Sequence, residues 1–315
     1  MKHLNVDDSR PALGDVPRGQ GPWPESNTSQ AVQRWLEQRL TSSSSNDFRE
    51  INSVCRLLLD VVSGLDRGGR ISERWKASES QLDRLSVLAD RWCEGEPLQY
   101  ILKKVHFMGL QLTADNRALI PRPETEELVQ ELLNRVDLDA NFSHRFLDIG
   151  TGSGCIALAW KSRRPEDSVK GIDSSVNALD QAKTNSETVG LSVEWVLKDV
   201  FENSMNWPEH PFDVVASNPP YIPSSEKSTM DSRVTDQEPQ DALFVSDENP
   251  LVFYETIIKK CAADRWLKGG GLLGFECHRN FTQSVCNLFA EELWENVERS
   301  KDLQGNWRMV FARLR

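Results

Sequence analysis

The sequence predicts an α/β protein, a doubly wound, mostly parallel sheet of Rossmann-like type preceded by a small helical bundle and a β-hairpin linker. Three observations predict it. After Pro121 short apolar runs alternate with amphipathic stretches in the order helix, strand, helix, strand, which is the pattern of a sheet with crossover helices. The run Phe146-Leu147-Asp148-Ile149 passes directly into the glycine turn Gly150-Thr151-Gly152-Ser153-Gly154 and then into a helix. Up to about residue 105, by contrast, the apolar spacing is helical.

The elements follow in chain order. Residues 1–30 carry Pro11, Pro17, Pro22 and Pro24 among Gly and Ser, with too few periodic apolar positions to offset ordering entropy, and are expected to form a disordered tail. Residues 31–105 form the helical unit: Val32, Trp35, Leu36 and Leu40 mark one helix, Ile51, Val54, Cys55, Leu58, Leu59 and Val62 a second, and Leu82, Leu85, Leu88, Ala89 and Trp92 a third. The polar run 42–45 separates the first two, and Asp47 followed by Glu50 reads as a capping box. Over 106–120 the period shortens and Asp115-Asn116 interrupts two apolar pieces, which reads as a β-hairpin. In the remaining unit, 121–315, helices are expected at 125–133, 155–162, 175–189, 251–267 and 281–293. Strands are expected at 145–149, 169–173, 193–197, 212–217, 272–276 and 307–314, the fifth entered through Gly269-Gly270-Gly271.

A chain of 315 residues accommodates two folded units. Its net charge of −11 argues against a surface whose affinity comes mainly from neutralising phosphates, so direct nucleic-acid binding is not expected. No apolar run reaches the length of a membrane helix, and no membrane association is expected. The six cysteines, Cys55, Cys93, Cys155, Cys261, Cys277 and Cys286, contain no CxxC pair and lie in apolar stretches, which points to reduced thiols in a reducing compartment rather than to metal ligands.

The glycine turn lets a ligand approach the backbone without Cβ clashes, and the following helix start offers amide donors and the positive end of a dipole. The spacing is G-x-G-x-G instead of the dinucleotide G-x-G-x-x-G, and Asp148 stands before it, where a carboxylate attracts a cationic methionine moiety directly or through water. That favours S-adenosyl-L-methionine. The next strand ends at Asp173, about 20 residues on, in position to accept from ribose hydroxyls. The strand after that ends at Asp199-Val200, candidates for the adenine amino group and ring face. The cofactor set read from the residues is therefore Asp148, Gly150, Thr151, Gly152, Ser153, Gly154, Asp173, Asp199 and Val200, with no metal.

The fourth strand runs into Asn218-Pro219-Pro220-Tyr221 at the same sheet edge. An amide nitrogen is a poor nucleophile because its lone pair is delocalised, so an enzyme that methylates one must hold its hydrogens and aim the nitrogen at the methyl carbon. The Asn218 side-chain oxygen and the Pro219 carbonyl supply acceptors, Pro219 and Pro220 stiffen the turn, and Tyr221 offers a face for a flat amide. These four are the candidate catalytic residues.

At these residues the sequence closely resembles the HemK-type protein-(glutamine-N5) methyltransferases, which act on the glutamine of the Gly-Gly-Gln motif in class I peptide chain release factors. The tetrapeptide alone is shared with adenine-N6 DNA and some RNA methyltransferases, and the narrower assignment rests on further motifs. Pro97-Leu98-Gln99-Tyr100-Ile101 resembles the signature at the end of that family's helical domain, and Leu119-Ile120-Pro121-Arg122-Pro123-Glu124-Thr125-Glu126 the one at the entrance to its catalytic domain. Glu238-Pro239 with Ala242-Leu243 resembles the loop after the catalytic motif, and Gly305-Asn306-Trp307-Arg308 the closing hairpin. The likeness runs from about residue 30 to residue 315. It implies a class I methyltransferase fold, a helical substrate-docking domain, S-adenosyl-L-methionine at Gly150 to Gly154, Asp173, Val200 and Asn218, and substrate glutamine held by Asn218 to Tyr221. It also implies that Arg122, Glu124 and Thr125 shape the site; these equally suit a helix start and stay outside the catalytic set. The sequence departs from the family pattern at Leu102-Lys103-Lys104 and at Cys277-His278, which bears on substrate docking.

The leading expectation is a monomeric enzyme that methylates a class I release factor. The alternative is an amino methyltransferase of the adenine-N6 type, which calls for a basic groove that the sequence does not offer; a non-catalytic cofactor-binding scaffold would be favoured by loss of Asp173 or Asn218, and both are present. The wording Arg122-Pro-Glu-Thr-Glu-Glu-Leu-Val129 resembles the mitochondrial branch, so a mitochondrial location is expected, with cytoplasm as the alternative.

Overall fold

In the computed structural model residues 18–41, 47–136, 143–202 and 207–315 are described. The chain divides into two compact units, Met1–Leu102 and Lys103–Arg315.

The first unit contains α1 (Ser29–Thr41), α2 (Phe48–Ser63), α3 (Arg67–Ser72), α4 (Glu79–Cys93) and α5 (Leu98–Leu102). Its core is the stripe that the sequence marks, with Val32, Leu36, Leu40, Cys55, Leu58, Leu59, Leu85 and Ala89 almost wholly excluded from solvent. Asp47 caps α2 by accepting from the Arg49 amide at 2.8 Å, and α2 closes on Gly64 in the left-handed region. The reciprocal box instead forms at α4, between Ser78 and Gln81.

The tail expectation fails for residues 18–30. Gly19 donates to Asp83 at 2.9 Å, the Ser86 hydroxyl donates to the Gln20 carbonyl, and the Trp35 indole donates to the Pro22 carbonyl at 2.6 Å. Side chains of α1 and α4 thus supply the hydrogen bonds that this segment's own composition does not. Residues 1–17 and the polar run 42–45 lie outside the described residues.

The second unit opens on a hairpin of β1 (Val105–Phe107) and β2 (Leu110–Leu112). Its turn is Met108-Gly109, both at positive φ (47° and 85°), the geometry that matches strand twist in a two-residue loop. Asp115-Asn116, expected as the turn, lies in the loop that follows, where the Asp115 carboxylate is occupied by Arg117 at 2.8 and 2.9 Å. Then come α6 (Pro123–Arg135), β3 (Arg145–Ile149), α7 (Cys155–Arg163), β4 (Ser168–Asp173), α8 (Val176–Val189), β5 (Glu194–Leu197), β6 (Phe212–Ser217), β7 (Ile222–Pro223), α9 (Ser232–Thr235), β8 (Phe244–Val245), α10 (Val252–Ala262), β9 (Leu267–Glu276), α11 (Thr282–Cys286), β10 (Trp294–Lys301) and β11 (Trp307–Leu314).

The main sheet has seven strands in the order β10-β11-β9-β6-β3-β4-β5. Pairs among β9, β6, β3, β4 and β5 are parallel, and β11 is antiparallel to both β9 and β10. One apolar cluster around Tyr254, Trp266, Phe275 and Val310 and another around Phe146, Trp160, Leu128 and Phe311 bury the sheet's strands. The chain winds outward from β3 through β4 to β5, then returns to place β6 on the other side of β3. The crevice at such a reversal opens at the strands' carboxyl ends.

Two expectations near the C-terminus are corrected, and one strand was not foreseen. The helix at 251–267 stops at Ala262, because Trp266 and Leu267 are buried as the lead into β9, which carries Gly269 to Gly271 within it. The helix at 281–293 is only the five residues of α11. No sequence pattern marks β10, an edge strand whose middle is solvent-facing and so lacks an apolar run.

Candidate functional site

The carboxyl ends of β3, β4 and β6 converge on a cavity of about 440 Å³, within the range of small-molecule sites. Gly150, Thr151, Gly152, Ser153, Asp173, Asp199, Val200, Asn218, Pro219 and Pro220 all line it. Asp148, Gly154 and Tyr221, although named with them, do not.

The turn after β3 is held from several sides. Gly150, Gly152 and Gly154 adopt φ of 67°, 54° and 81°. The Thr151 amide donates to the Ile172 carbonyl at 2.9 Å, the Gly152 amide to Asp173 Oδ2 at 2.9 Å, and the Gly154 amide to the Thr151 carbonyl at 2.8 Å. Asp148 lies beneath the turn, fully buried: its Oδ2 accepts from the Thr151 hydroxyl at 2.5 Å and from the Ala157 amide at 3.2 Å, tying turn to helix. Burial pushes its carboxyl up to about 7, against those two donors, and its Oδ1 is buried with no partner among the described residues. The sequence reading sets Asp148 against the cofactor; its direct bonds are to the loop at Thr151 and to α7 at Ala157. Gly154 serves packing: a Cβ there would come within 2.7 Å of the Trp195 ring.

Asp173 Oδ1 accepts from the Ser175 amide at 2.9 Å and Oδ2 from the Gly152 amide, and the carboxylate keeps acceptor capacity towards the cavity it lines. Burial raises its pKa, opposed by these amides. Asp199 is oriented by the Phe201 amide at 2.8 Å, and Val200 is buried beside Ile257 and Phe253 at the cavity wall.

Asn218 follows β6, whose Ser217 pairs with Phe275 of β9; Asn218 and Glu276 therefore stand side by side at the sheet edge. Asn218 Nδ2 donates to Thr125 Oγ1 at 3.2 Å, Thr125 Oγ1 donates to Glu276 Oε2 at 2.6 Å, and the Tyr221 hydroxyl donates to Glu276 Oε1 at 3.1 Å. Tyr221 is thus turned onto Glu276, and burial together with the Glu276 charge pushes its phenol well up. In the sequence Glu276 stands only as a strand end. Nothing local could mark it, since its partner Thr125 is 151 residues away in sequence. Glu238, a motif position in the sequence, is 4% exposed; it accepts from the Ile120 amide at 3.0 Å and pairs with Arg122, fastening the loop after β7 to the segment before α6.

The departure Cys277-His278 is structural in character: Cys277 is fully buried, and His278 faces Glu226 at 3.4 Å. Among the described residues no three His, Cys, Asp or Glu side chains are gathered as metal ligands.

The cavity fits a nucleoside-type sulfonium cofactor. A Cβ at Gly150 would meet nothing within 4 Å and one at Gly152 only Ala118 at 4.0 Å, so both turns leave open space where a ligand approaches the backbone. Asp173 and Asp199 offer acceptors, and Val200 and Phe253 an apolar wall.

Sheet order, glycine turn and Asn-Pro-Pro-Tyr edge together define a methyltransferase, and residues 125–237 match the family described as methyltransferase small domain. The catalytic domain of hMettl16, solved with the MAT2A 3′UTR hairpin 6, is 16% identical with a TM-score of 0.50 over 73% of this chain and 81% of that one, a likeness of fold alone. Sequence relatives are more specific. The release factor glutamine methyltransferase of Flavobacterium psychrophilum is 34% identical over 271 residues, 85% of this chain and 94% of that protein. That of Lactococcus lactis subsp. lactis is 35% identical over 283 residues, 89% of this chain and 99% of that protein. The chain belongs to the release factor glutamine methyltransferase family.

Proposed function

We propose that the chain transfers a methyl group from S-adenosyl-L-methionine to the side-chain amide nitrogen of the glutamine in the Gly-Gly-Gln motif of a class I peptide chain release factor. The observation that carries the reading is the anchoring of Asn218: its Nδ2 is committed to Thr125, which leaves Oδ1 as an acceptor at the cavity wall. Bound in the cavity, the cofactor supplies an electrophilic methyl on a sulfonium sulfur. Asn218 Oδ1 and the Pro219 carbonyl take the two amide hydrogens of the target, fixing the nitrogen and its direction. Pro219 and Pro220 hold the turn stiff, so little reorganisation remains at the moment of reaction. Methylation makes the amide nitrogen strongly acidic, so water suffices to take the proton. The net charge of −11 disfavours the adenine-N6 alternative.

The test is incubation with labelled cofactor and a class I release factor carrying either Gln or Ala at the motif. Label on the Gln protein alone supports the reading; equal label on both, or on neither, sinks it. A mitochondrial location is proposed on the wording of residues 122–129 alone, and bacterial relatives lend it no weight; imaging the full chain, tagged at its C-terminus, against a mitochondrial marker decides it.

A further inference from the structure

The buried carboxylate at the end of β9 has no role in the mechanism above. Glu276 is 1% exposed, and its two oxygens receive one hydroxyl each, from Thr125 and Tyr221. An ionised carboxylate only accepts. Each hydroxyl has a single proton, so Thr125 must spend its proton on Glu276, and its Oγ1 is then free only to accept. The only group of Asn218 that can satisfy that acceptor is the Nδ2 amine, 3.2 Å away. The direction of every bond in the chain Asn218, Thr125, Glu276 follows from the one charge at its end. Burial raises the Glu276 pKa; the Thr125 and Tyr221 hydroxyls it accepts from, and then the neighbouring Arg308 guanidinium, oppose that rise and favour the charged form.

From this we infer that Glu276 is a positioning residue that sets the polarity of the substrate amide site: by orienting Thr125 it fixes which face of the Asn218 carboxamide, oxygen rather than amine, is presented to the target. The inference rests on the proposed glutamine substrate. A target amide brings hydrogens and needs acceptors; an Asn218 turned over would meet it with hydrogens and would better receive a carboxylate.

The experiment compares the parent with Glu276→Gln, an isosteric change whose amine can donate to Thr125 and reverse the chain. The readouts are kcat and KM on the release factor, cofactor affinity by calorimetry, and inhibition by the same release factor with Glu at the target position. Expected are a fall in kcat of roughly 100-fold, cofactor affinity within about twofold, and tighter inhibition of the variant than of the parent by the Glu protein. A general loss of packing would not strengthen binding of the Glu protein. Thr125→Val should lose rate without that gain, while Thr125→Ser, which keeps the hydroxyl, should restore most of the rate. Parental kcat in Glu276→Gln, or an unchanged preference between Gln and Glu proteins, overturns the inference; if that variant does not fold, a parental rate in Thr125→Val does so. A parent that does not methylate the Gln protein refutes the proposed substrate instead, so the two failures are distinct.

Discussion

Substituting Gly154 by Ala separates the packing role of one glycine in the turn from the conformational role all three share. Gly154 sits at φ 81°, where an L-residue costs about 1–2 kcal/mol. Its new Cβ would also lie 2.7 Å from Trp195 Cη2 and 3.1 Å from Ala182 Cβ, an overpacking that adds about 1–3 kcal/mol. Gly190→Ala is the control: φ is 68° and nothing lies within 4 Å, so only the conformational cost applies. Gly150→Ala, at φ 67° with open space around its Cβ, should destabilise no more than the control yet intrude on the cavity it lines. Urea unfolding of the three variants, with cofactor titration by calorimetry, should give a loss of about 2–5 kcal/mol for Gly154→Ala and about 1–2 for the other two. Only Gly150→Ala should weaken cofactor binding in proportion greater than its stability loss. Equal destabilisation by Gly154→Ala and Gly190→Ala, within about 0.5 kcal/mol, would refute the packing argument.

Asp148→Asn tests the buried acid. Its folded pKa, raised to about 7, exceeds its unfolded value, so the folded state is penalised as pH rises from about 4 to about 7 and evenly above that; the penalty is on the order of 4 kcal/mol at pH 8, and the stability difference between parent and variant should change over that window and be flat outside it. Asp173→Asn should raise the cofactor Kd about tenfold or more, because a donor then stands where ribose hydroxyls need an acceptor, and the ratio is read by calorimetry at constant salt. Arg122→Ala leaves the buried Glu238 carboxylate with the Ile120 amide as its remaining donor among the described residues, so residues 223–245 should be cut faster by protease, with a loss of about 1–3 kcal/mol after allowing for the partial exposure of Arg122. Parental cleavage rates would count against that clasp.

The strands 145–149 and 212–217 were legible to the residue because buried parallel strands are short apolar runs with abrupt polar ends. Cavity residues were legible for a related reason: in this topology each lies just past the end of such a strand. What escaped was set by distance or by exposure. Edge strand β10 alternates charged side chains over a solvent-facing middle. The hairpin turn uses Met108 at positive φ, where side chains other than Gly and Asn are uncommon, so Asp115-Asn116 drew the reading instead. Segment 18–30 is ordered by bonds from Asp83, Ser86 and Trp35, none of them in its own sequence. Thr125 and Glu276 meet only after the sheet is assembled, and no local pattern joins them.

The loop after β3 is bolted to the adjacent strand through Ile172 and Asp173 and to the helix behind it through Asp148. Such a receptor surface is set before its guest arrives, so capture should be close to lock-and-key. Little conformational entropy is lost on docking, association is limited by encounter rather than by a slow rearrangement, and the heat-capacity change reflects the area covered and not a disorder-to-order transition.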